Sequence, residues 1–445
     1  MRVLLLHPPT AGKVGNYRTE SLGIGYIASV LRADGHEVEV FDAHMRCLKT
    51  GAVINELLSR EYDCLGITAM HQHKDSVMET VRAIRKARPS LPIILGGYLP
   101  TLATELFLKA CPEISFMVRG EGENVTRDVF GRIDRGEDWH DAPGVAFLDG
   151  ERVVVNQPPP LIKDLDSLPF PARDALKQKH RSVMTQALIA GSRGCYNNCS
   201  FCSINSFYAV SGGHGPRFRS PANFVDEIES VIEETGHRDF EFIDDDFIGP
   251  GEKSQARVVK IAQEIIDRGL KIKFNTEARA DEMNEETLKI LKRAGLLCLF
   301  LGIESGVQRQ LDTYGKRISV EQNRRAIEIC HNAGVRVEPG FIMFDPYATI
   351  DEIQENMRFI KETGLYHGPV PMSKVLLYHG VPLVDKIRED GLLVEDGLNL
   401  DYRFKDPQTE LAWKVARIAS IFNKFIHNLR LRLGGKNPRD KVSVD

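Results

Sequence analysis

A chain of 445 residues and 50.0 kDa exceeds the size at which one hydrophobic core keeps growing, so two or three domains are expected. Its 42% hydrophobic and 27% charged composition is that of a globular protein, and a formal net charge of -4 gives no general attraction to nucleic acid or to an anionic membrane. No run approaches the roughly 18 consecutive apolar residues of a membrane span, and eight cysteines are too sparse for a disulfide scaffold. The expectation is a cytoplasmic protein with a small-molecule partner, no nucleic acid and no membrane span.

The first predicted element is RVLLLH, too short for a signal segment and, ahead of Pro8 and Pro9, readable as a buried strand. Strand-like and helix-like stretches then alternate through SLGIGYIASVLRADG, HEVEVFDA, TGAVINELLSREY, DCLGITAM, SVMETVRAIRKARPS, LPIILGG, TLATELFLKACP and ISFMVRGEGE. This predicts an α/β fold beginning with a Rossmann-like, doubly wound domain over residues 1–145, its parallel sheet covered by helices on both faces. Such sheets bind ligands beyond the carboxyl ends of their strands, where HPPTAG, DAHMRC, TAMHQH, GGYLPT and GEGE fall. Gly96 and Gly97, directly after LPIIL, allow close backbone approach to a bulky ligand; they also suit an ordinary tight strand-to-helix turn. His7, His71 and His73 stand at strand ends and read as hydrogen-bonded loop histidines.

Residues 146–185 carry five prolines in VVVNQPPPLIKDLDSLPFPARDAL and read as a linker crossing the surface. Over 186–390 a second alternation places strands at TQALIAG, DFEFIDDD, KIKFNTE, LCLFLGIE, VRVEPGFIMF and PMSKVLLY, between long amphipathic stretches. Six strand-helix repeats predict a partial (β/α)6 TIM-type barrel, with its chemistry at the carboxyl ends of the strands. Residues 391–445 are expected to be a helical C-terminal region, basic toward its end, with its apolar face on the barrel.

Three of the eight cysteines, Cys195, Cys199 and Cys202, fall in RGCYNNCSFCS at C-x3-C-x2-C spacing. A structural zinc site wants four ligands, usually in two pairs, and no second pair exists. Thiolates are the usual ligands of iron-sulfur clusters, and three in one loop can hold three corners of a [4Fe-4S] cube, leaving one iron open. The other five cysteines, Cys47, Cys64, Cys111, Cys298 and Cys330, are scattered among apolar or helical neighbours and read as packing residues.

This spacing, just after the first strand of a partial barrel, resembles the radical S-adenosylmethionine (SAM) superfamily. The resemblance implies that Cys195, Cys199 and Cys202 hold a [4Fe-4S] cluster. Its open iron chelates SAM, and an electron from the cluster cleaves SAM to methionine and a 5'-deoxyadenosyl radical. It further implies SAM contacts at Phe201, Asp244, Asp245, Asn275, Glu277, Arg279, Glu304 and Ser305. Asp246 and Glu338 are expected beside the reacting centre, with His379 also near a strand end. Asn275, Glu277 and Arg279 alternate along one strand and so face one way. GFIMFDPYAT departs from the superfamily's more usual G-x-I-x-G-x-P pattern, with Phe344 where the second glycine is expected.

The order SLGIGYIASVLRADGHEVEVFDA, DCLGITAM, IILGGYLPT, VRGEGE is similar to the cobalamin-binding domain that precedes many radical SAM barrels. Asp42, Ala43 and His44 nearly match the D-x-H-x-x-G cobalt-ligand motif but lack its glycine, and the match reads as coincidence. With cobalamin, with Gly96 and Gly97 among the residues that hold it, the resemblance implies C-methylation of an unactivated carbon. Without it, the implied reaction is radical dehydration of a diol in an aminoglycoside-type substrate, with Tyr208 as candidate proton donor. A sensor without turnover is a third reading. Either enzyme implies a polar small-molecule substrate and an electron donor such as flavodoxin.

Overall fold

The computed structural model describes residues 1–10, 17–177, 184–213, 215–366 and 370–418. Its first part runs β1 (Arg2–His7), β2 (Tyr17–Arg18), α1 (Leu22–Ala33), β3 (Glu37–Asp42), α2 (Thr50–Leu58), β4 (Cys64–Thr68), α3 (Lys74–Ala87), β5 (Ile93–Gly96), α4 (Tyr98–Leu102), α5 (Thr104–Ala110), β6 (Phe116–Val118), α6 (Gly122–Arg135), β7 (Val145–Asp149) and β8 (Arg152–Val155). Seven of these strands form one sheet in the order β3-β1-β4-β5-β6-β7-β8. The first five are parallel, and β7 and β8 add an antiparallel hairpin. Alternate residues of β1 enter different cores: Leu4 and Leu6 pack on one face, Val3 and Leu5 on the other. From β1 the chain moves to β3 on one side and then crosses back to β4 on the other, a reversal of strand order that opens a crevice at the carboxyl ends.

This sheet extends to Val155, beyond the boundary the sequence pattern placed at residue 145. The three valines of VVVN belong to β8 because the Gly150 turn (φ 60) folds them back on β7; the prolines that mark the crossing segment begin only after them.

The second part runs α7 (Asp174–Lys177), β9 (Met184–Thr185), β10 (Ala187–Ile189), β11 (Ser192–Arg193), α8 (Ser203–Ala209), β12 (Arg217–Phe218), α9 (Pro221–Thr235), β13 (Asp239–Phe242), α10 (Gly251–Asp267), β14 (Lys273–Arg279), α11 (Glu285–Ala294), β15 (Leu296–Glu304), α12 (Gln308–Thr313), α13 (Val320–Asn332), β16 (Arg336–Phe341), α14 (Ile350–Glu362), α15 (Pro382–Glu389), β17 (Leu393–Asp396) and β18 (Asn399–Tyr402). Strands β10-β13-β14-β15-β16 form a parallel, curved half-barrel. Its helices are punctuated locally: Ser220 caps α9, Asn284 caps α11, and Ser319 with Gln322 and Thr349 with Glu352 form capping boxes on α13 and α14. Gly295 ends α11 at φ 119, where a Cβ would stand 2.2 Å from the Ile272 carbonyl oxygen.

The sixth expected strand, PMSKVLLY, makes a single parallel bridge, Phe344 to Lys374. Its backbone is spent on the β16 exit loop, with Val375 N donating to Phe344 O at 2.9 Å, and Leu376 is 68% exposed. The C-terminal region is not wholly helical either: β17 and β18 form a hairpin that turns at Gly397 and Leu398 before a helix over 407–418. Residues 419–445 of the expected helix lie outside the described residues. Among the described residues no helix is long and apolar enough to cross a membrane.

Candidate active site

The cysteine loop is built from its two ends. β11 enters it, and Gly194 turns the chain at φ 90, where a Cβ would stand 2.8 Å from the Gly215 carbonyl oxygen. Its far end is tied to the barrel: Ser200 N donates to Tyr314 O at 2.8 Å, and Leu383 N donates to Ser200 O at 2.8 Å. Cys195, Cys199 and Cys202 are half-buried, and each sulfur has an N–H aimed at it. The donors are the Asn197 amide for Cys195, Asn197 Nδ2 at 3.0 Å for Cys199, and the Ile204 amide for Cys202. Burial pushes the Cys195 and Cys202 thiols up to about 12, a cost that a bound cation offsets by stabilising the thiolates. Among the described residues no three His, Cys, Asp or Glu side chains converge on one ion. A cubane cluster asks for something else, since each thiolate binds a different iron.

The three adjacent carboxylates after β13 divide their roles. Asp244, buried, accepts from Gly191 N at 2.9 Å and Ser192 Oγ at 2.5 Å, so it braces the start of the loop. Asp245 accepts from Gly194 N at 2.8 Å, and burial raises its carboxyl to about 6. Asp246 is buried beside Glu282, a residue the sequence reading missed; burial raises both carboxyls, Glu282 to about 9.

Along the concave face of the half-barrel, Glu241 lies in register with Asn275, Glu277 with Phe300, and Phe300 with Glu338. Asn275 Nδ2 donates to Glu241 at 3.0 Å. Glu277 touches water yet stands among protein; loss of bulk solvent, then Glu241, Asp245 and Glu304, push its carboxyl up to about 7. Arg279 donates to Tyr196 Oη at 2.8 Å, to Asp281 at 3.1 Å and to the Lys316 carbonyl at 2.9 Å. Glu304, at φ 60, pairs with buried Lys316 at 2.9 Å. Phe201 packs edge-on against Tyr314, 5.6 Å between centroids.

Three expectations change. Ser305 does not face the site: fully buried, it donates to Gln310 Oε1 at 2.5 Å, lies 3.0 Å from Asn356 Oδ1 and accepts from Val307 N. Glu338 stands in mid-strand opposite Phe300 rather than at the strand end. His379 is a buried loop residue whose Nε2 lies 3.3 Å from Leu398 O.

A cavity of about 520 Å3 opens between the strand ends of the first sheet and the residues that flank the cysteine loop, Ser192 and Arg193 before it and Phe207 and Tyr208 after it. Gly96, Gly97, Tyr208 and Asp245 all line it, so the structure brings these four predicted residues together. Its deep wall is apolar, with Leu5, Ile24, Ile27, Ile94 and Val118. Gly97 has φ 105, and a Cβ there would stand 2.9 Å from Thr68 Oγ1. Tyr98, which the sequence reading passed over, stacks on Phe207 at 4.3 Å and joins the two parts. At the mouth, His7 Nδ1 lies 3.0 Å from Asp42, while His44 and His73 share Thr10 Oγ1 at 3.0 and 3.3 Å. Asp42 thus serves His7 rather than the His44 of its own near-motif. Burial keeps His44 and His73 neutral, down to about 4 and about 3.

The sequence pattern of the radical SAM superfamily matches residues 189–360, so the chain is an enzyme of that superfamily. The B12 binding domain pattern matches residues 10–130; within the superfamily it belongs with the proteins that carry such a domain ahead of the barrel. It is 28% identical over 368 residues to an uncharacterized methyltransferase of Pyrococcus horikoshii, covering 81% of this chain and 78% of the relative. It is also 28% identical over 411 residues to the anaerobic magnesium-protoporphyrin IX monomethyl ester cyclase of Rubrivivax gelatinosus, covering 89% of this chain and 71% of that one. In fold it is similar to the cobalamin-dependent radical SAM enzyme OxsB, solved with aqua-cobalamin and SAM, at TM-score 0.83 and 21% identity over 99% of this chain and 69% of OxsB.

Proposed function

We propose that Cys195, Cys199 and Cys202 hold a [4Fe-4S] cluster whose open iron takes SAM, that the first domain binds cobalamin, and that the enzyme methylates an unactivated carbon of a polar small molecule. The observation that carries this reading is the single cavity running from Gly96 and Gly97 to Tyr208 and Asp245 beside the cysteine loop. A corrinoid held there would lie against Arg193, Phe207 and Tyr208, which flank the cysteine loop.

The residues fit these groups. Three sulfurs with N–H donors suit thiolate ligation, and the apolar depth of the cavity suits the benzimidazole tail of a corrinoid. When bound, the cluster and SAM supply a carbon-centred radical and the corrinoid supplies a methyl group. The chain's own residues position and exclude. Asp245 and the Glu304–Lys316 pair offer polar contacts to the amino acid and ribose of SAM. Arg279, held by Asp281 and Tyr196, buttresses the loop more than it offers a free fork. Glu241, Asn275, Glu277 and Glu338 give the concave face acceptors for substrate hydroxyls or amines. The electron comes from a donor such as flavodoxin.

Tyr208 favours a second reading. It is buried in the same cavity, where its hydroxyl can donate a hydrogen bond to a departing hydroxyl group; desolvation keeps the phenol protonated, so its part is to orient and hydrogen-bond the leaving group rather than to release its proton outright. Anaerobic reconstitution with iron, sulfide and hydroxocobalamin, then desalting, separates the two. Near-stoichiometric cobalt, with S-adenosylhomocysteine formed beside 5'-deoxyadenosine, is expected for methylation. SAM cleavage without retained corrinoid would overturn methylation in favour of dehydration.

A further inference from the structure

The GEGE segment at 120–123 has no role in the chemistry above, yet it reaches across to the cysteine loop. Arg193 Nη1 donates to Glu121 Oε1 at 2.8 Å and Nη2 to Glu123 Oε1 at 2.5 Å. Arg217 donates to both oxygens of Glu121, at 2.8 and 3.0 Å, and to the Ile162 carbonyl at 2.5 Å. Ile162 N in turn donates to Glu121 at 2.9 Å. Arg193 and Arg217 are register partners across the β11-β12 pair, and like charges facing each other across a strand pair repel. The pair is stable because one carboxylate from the first domain lies against both. All four side chains are at most 15% exposed, so solvent does little to screen their attraction.

Position gives this clamp its meaning. Glu121 and Glu123 sit at the start of α6, on the wall of the shared cavity, and Arg193 is two residues ahead of Cys195. Arg217 also lies over the Tyr208 ring at 5.2 Å. We infer that the Glu121, Glu123, Arg193 and Arg217 clamp is a positioning device that sets the spacing between the first domain's cofactor cavity and the cluster loop. Its catalytic importance rests on the cobalamin reading; its geometric role does not. A second buried network, Glu20 with Arg173 and Glu227, ties the two parts at β10 and α9. Loosening the clamp therefore lets the parts hinge without separating.

The test is a distance. Cys47 is exposed on the loop after β3, while the other cysteines outside the cluster loop are buried, so it accepts a nitroxide on the cluster-loaded holoenzyme. Pulsed EPR then reads the nitroxide-to-reduced-cluster distance in wild type, in Glu123→Gln and in Arg193→Lys, with and without hydroxocobalamin. The wild type should give one narrow distribution and both variants one about twofold wider or displaced, since small domain interfaces move unless specifically held. Glu123→Gln keeps the shape of the side chain, so it tests the clamp even if Arg193→Lys fails to assemble. Loss of fold stability lowers the amount of cluster-loaded protein but leaves the distance in the survivors unchanged. Identical distributions in wild type and variants would overturn the clamp. Wild type that retains no hydroxocobalamin would sink the cobalamin reading, and the distance would still decide the clamp.

Discussion

Asp246 and Glu282 turn their buried carboxyl groups toward each other, and Oδ2 of Asp246 has no hydrogen-bond donor of its own. Two ionised carboxylates cannot share such a place, so the pair keeps a proton, with the Tyr196 ring and hydroxyl close by.

That proton makes stability depend on pH in a defined sense. Glu282 titrates near 4.5 unfolded and at about 9 folded, so between those values the folded chain binds more protons than the unfolded one. Stability must then fall as pH rises through this window. Glu282→Gln cannot ionise and can donate to Asp246, so its urea midpoint should decline less steeply between about pH 5 and about pH 9. An unchanged slope would mean that the proton is held elsewhere.

The cysteines separate by environment. Alanine at Cys195, Cys199 or Cys202 should abolish iron binding and reduce 5'-deoxyadenosine formation to background. Alanine at Cys64 or Cys111, buried in apolar cores with their thiols pushed up to about 12, should leave both intact and cost only stability. Iron retained near wild-type level in Cys199→Ala would refute the assignment of that ligand.

Glu227 holds the second interdomain tie. Its carboxylate receives Arg173 and Arg219, and the three side chains are no more than 4% exposed. Removing one charge from such a group strands the others, at about 3–5 kcal/mol. Glu227→Gln should show that loss by urea unfolding of the cluster-free protein. A loss under about 1 kcal/mol would mean that water enters the network, as it does in exposed pairs.

Local pattern made much of this legible. Alternating apolar runs placed both parallel sheets, and three cysteines in one loop pointed to the superfamily whose pattern matches residues 189–360. What stayed hidden depended on partners far away in the chain. Glu282 became half of a buried pair only because the end of β14 curls beside the end of β13. Ser305 looked like a site residue, yet Asn356, fifty residues beyond Gly306, accepts from Gly306 N at 2.7 Å and closes Ser305 inside a polar knot. GEGE read as a strand-end motif, and its meaning lay in Arg193 and Arg217. The β17-β18 hairpin has strands of four residues each, too short for periodicity to reveal.

Gly97 offers the most direct test of the first domain's cofactor role. With φ 105 and ψ -169, a region that essentially only glycine occupies, and space for a Cβ only 2.9 Å from Thr68 Oγ1 and 3.0 Å from the Ala69 carbonyl oxygen, alanine there is strained by about 1–3 kcal/mol before any clash is counted. The loop relieves that strain by moving into the cavity it lines. Gly97→Ala should therefore weaken hydroxocobalamin retention at least about tenfold, the factor that 1.4 kcal/mol represents. The cysteine loop is anchored independently through Tyr314 and Leu383, so iron content and SAM cleavage to 5'-deoxyadenosine should stay near wild type. Equal retention of corrinoid by Gly97→Ala would mean that the cofactor does not rest on this turn. Parallel loss of corrinoid and iron would mean that the turn supports the whole fold.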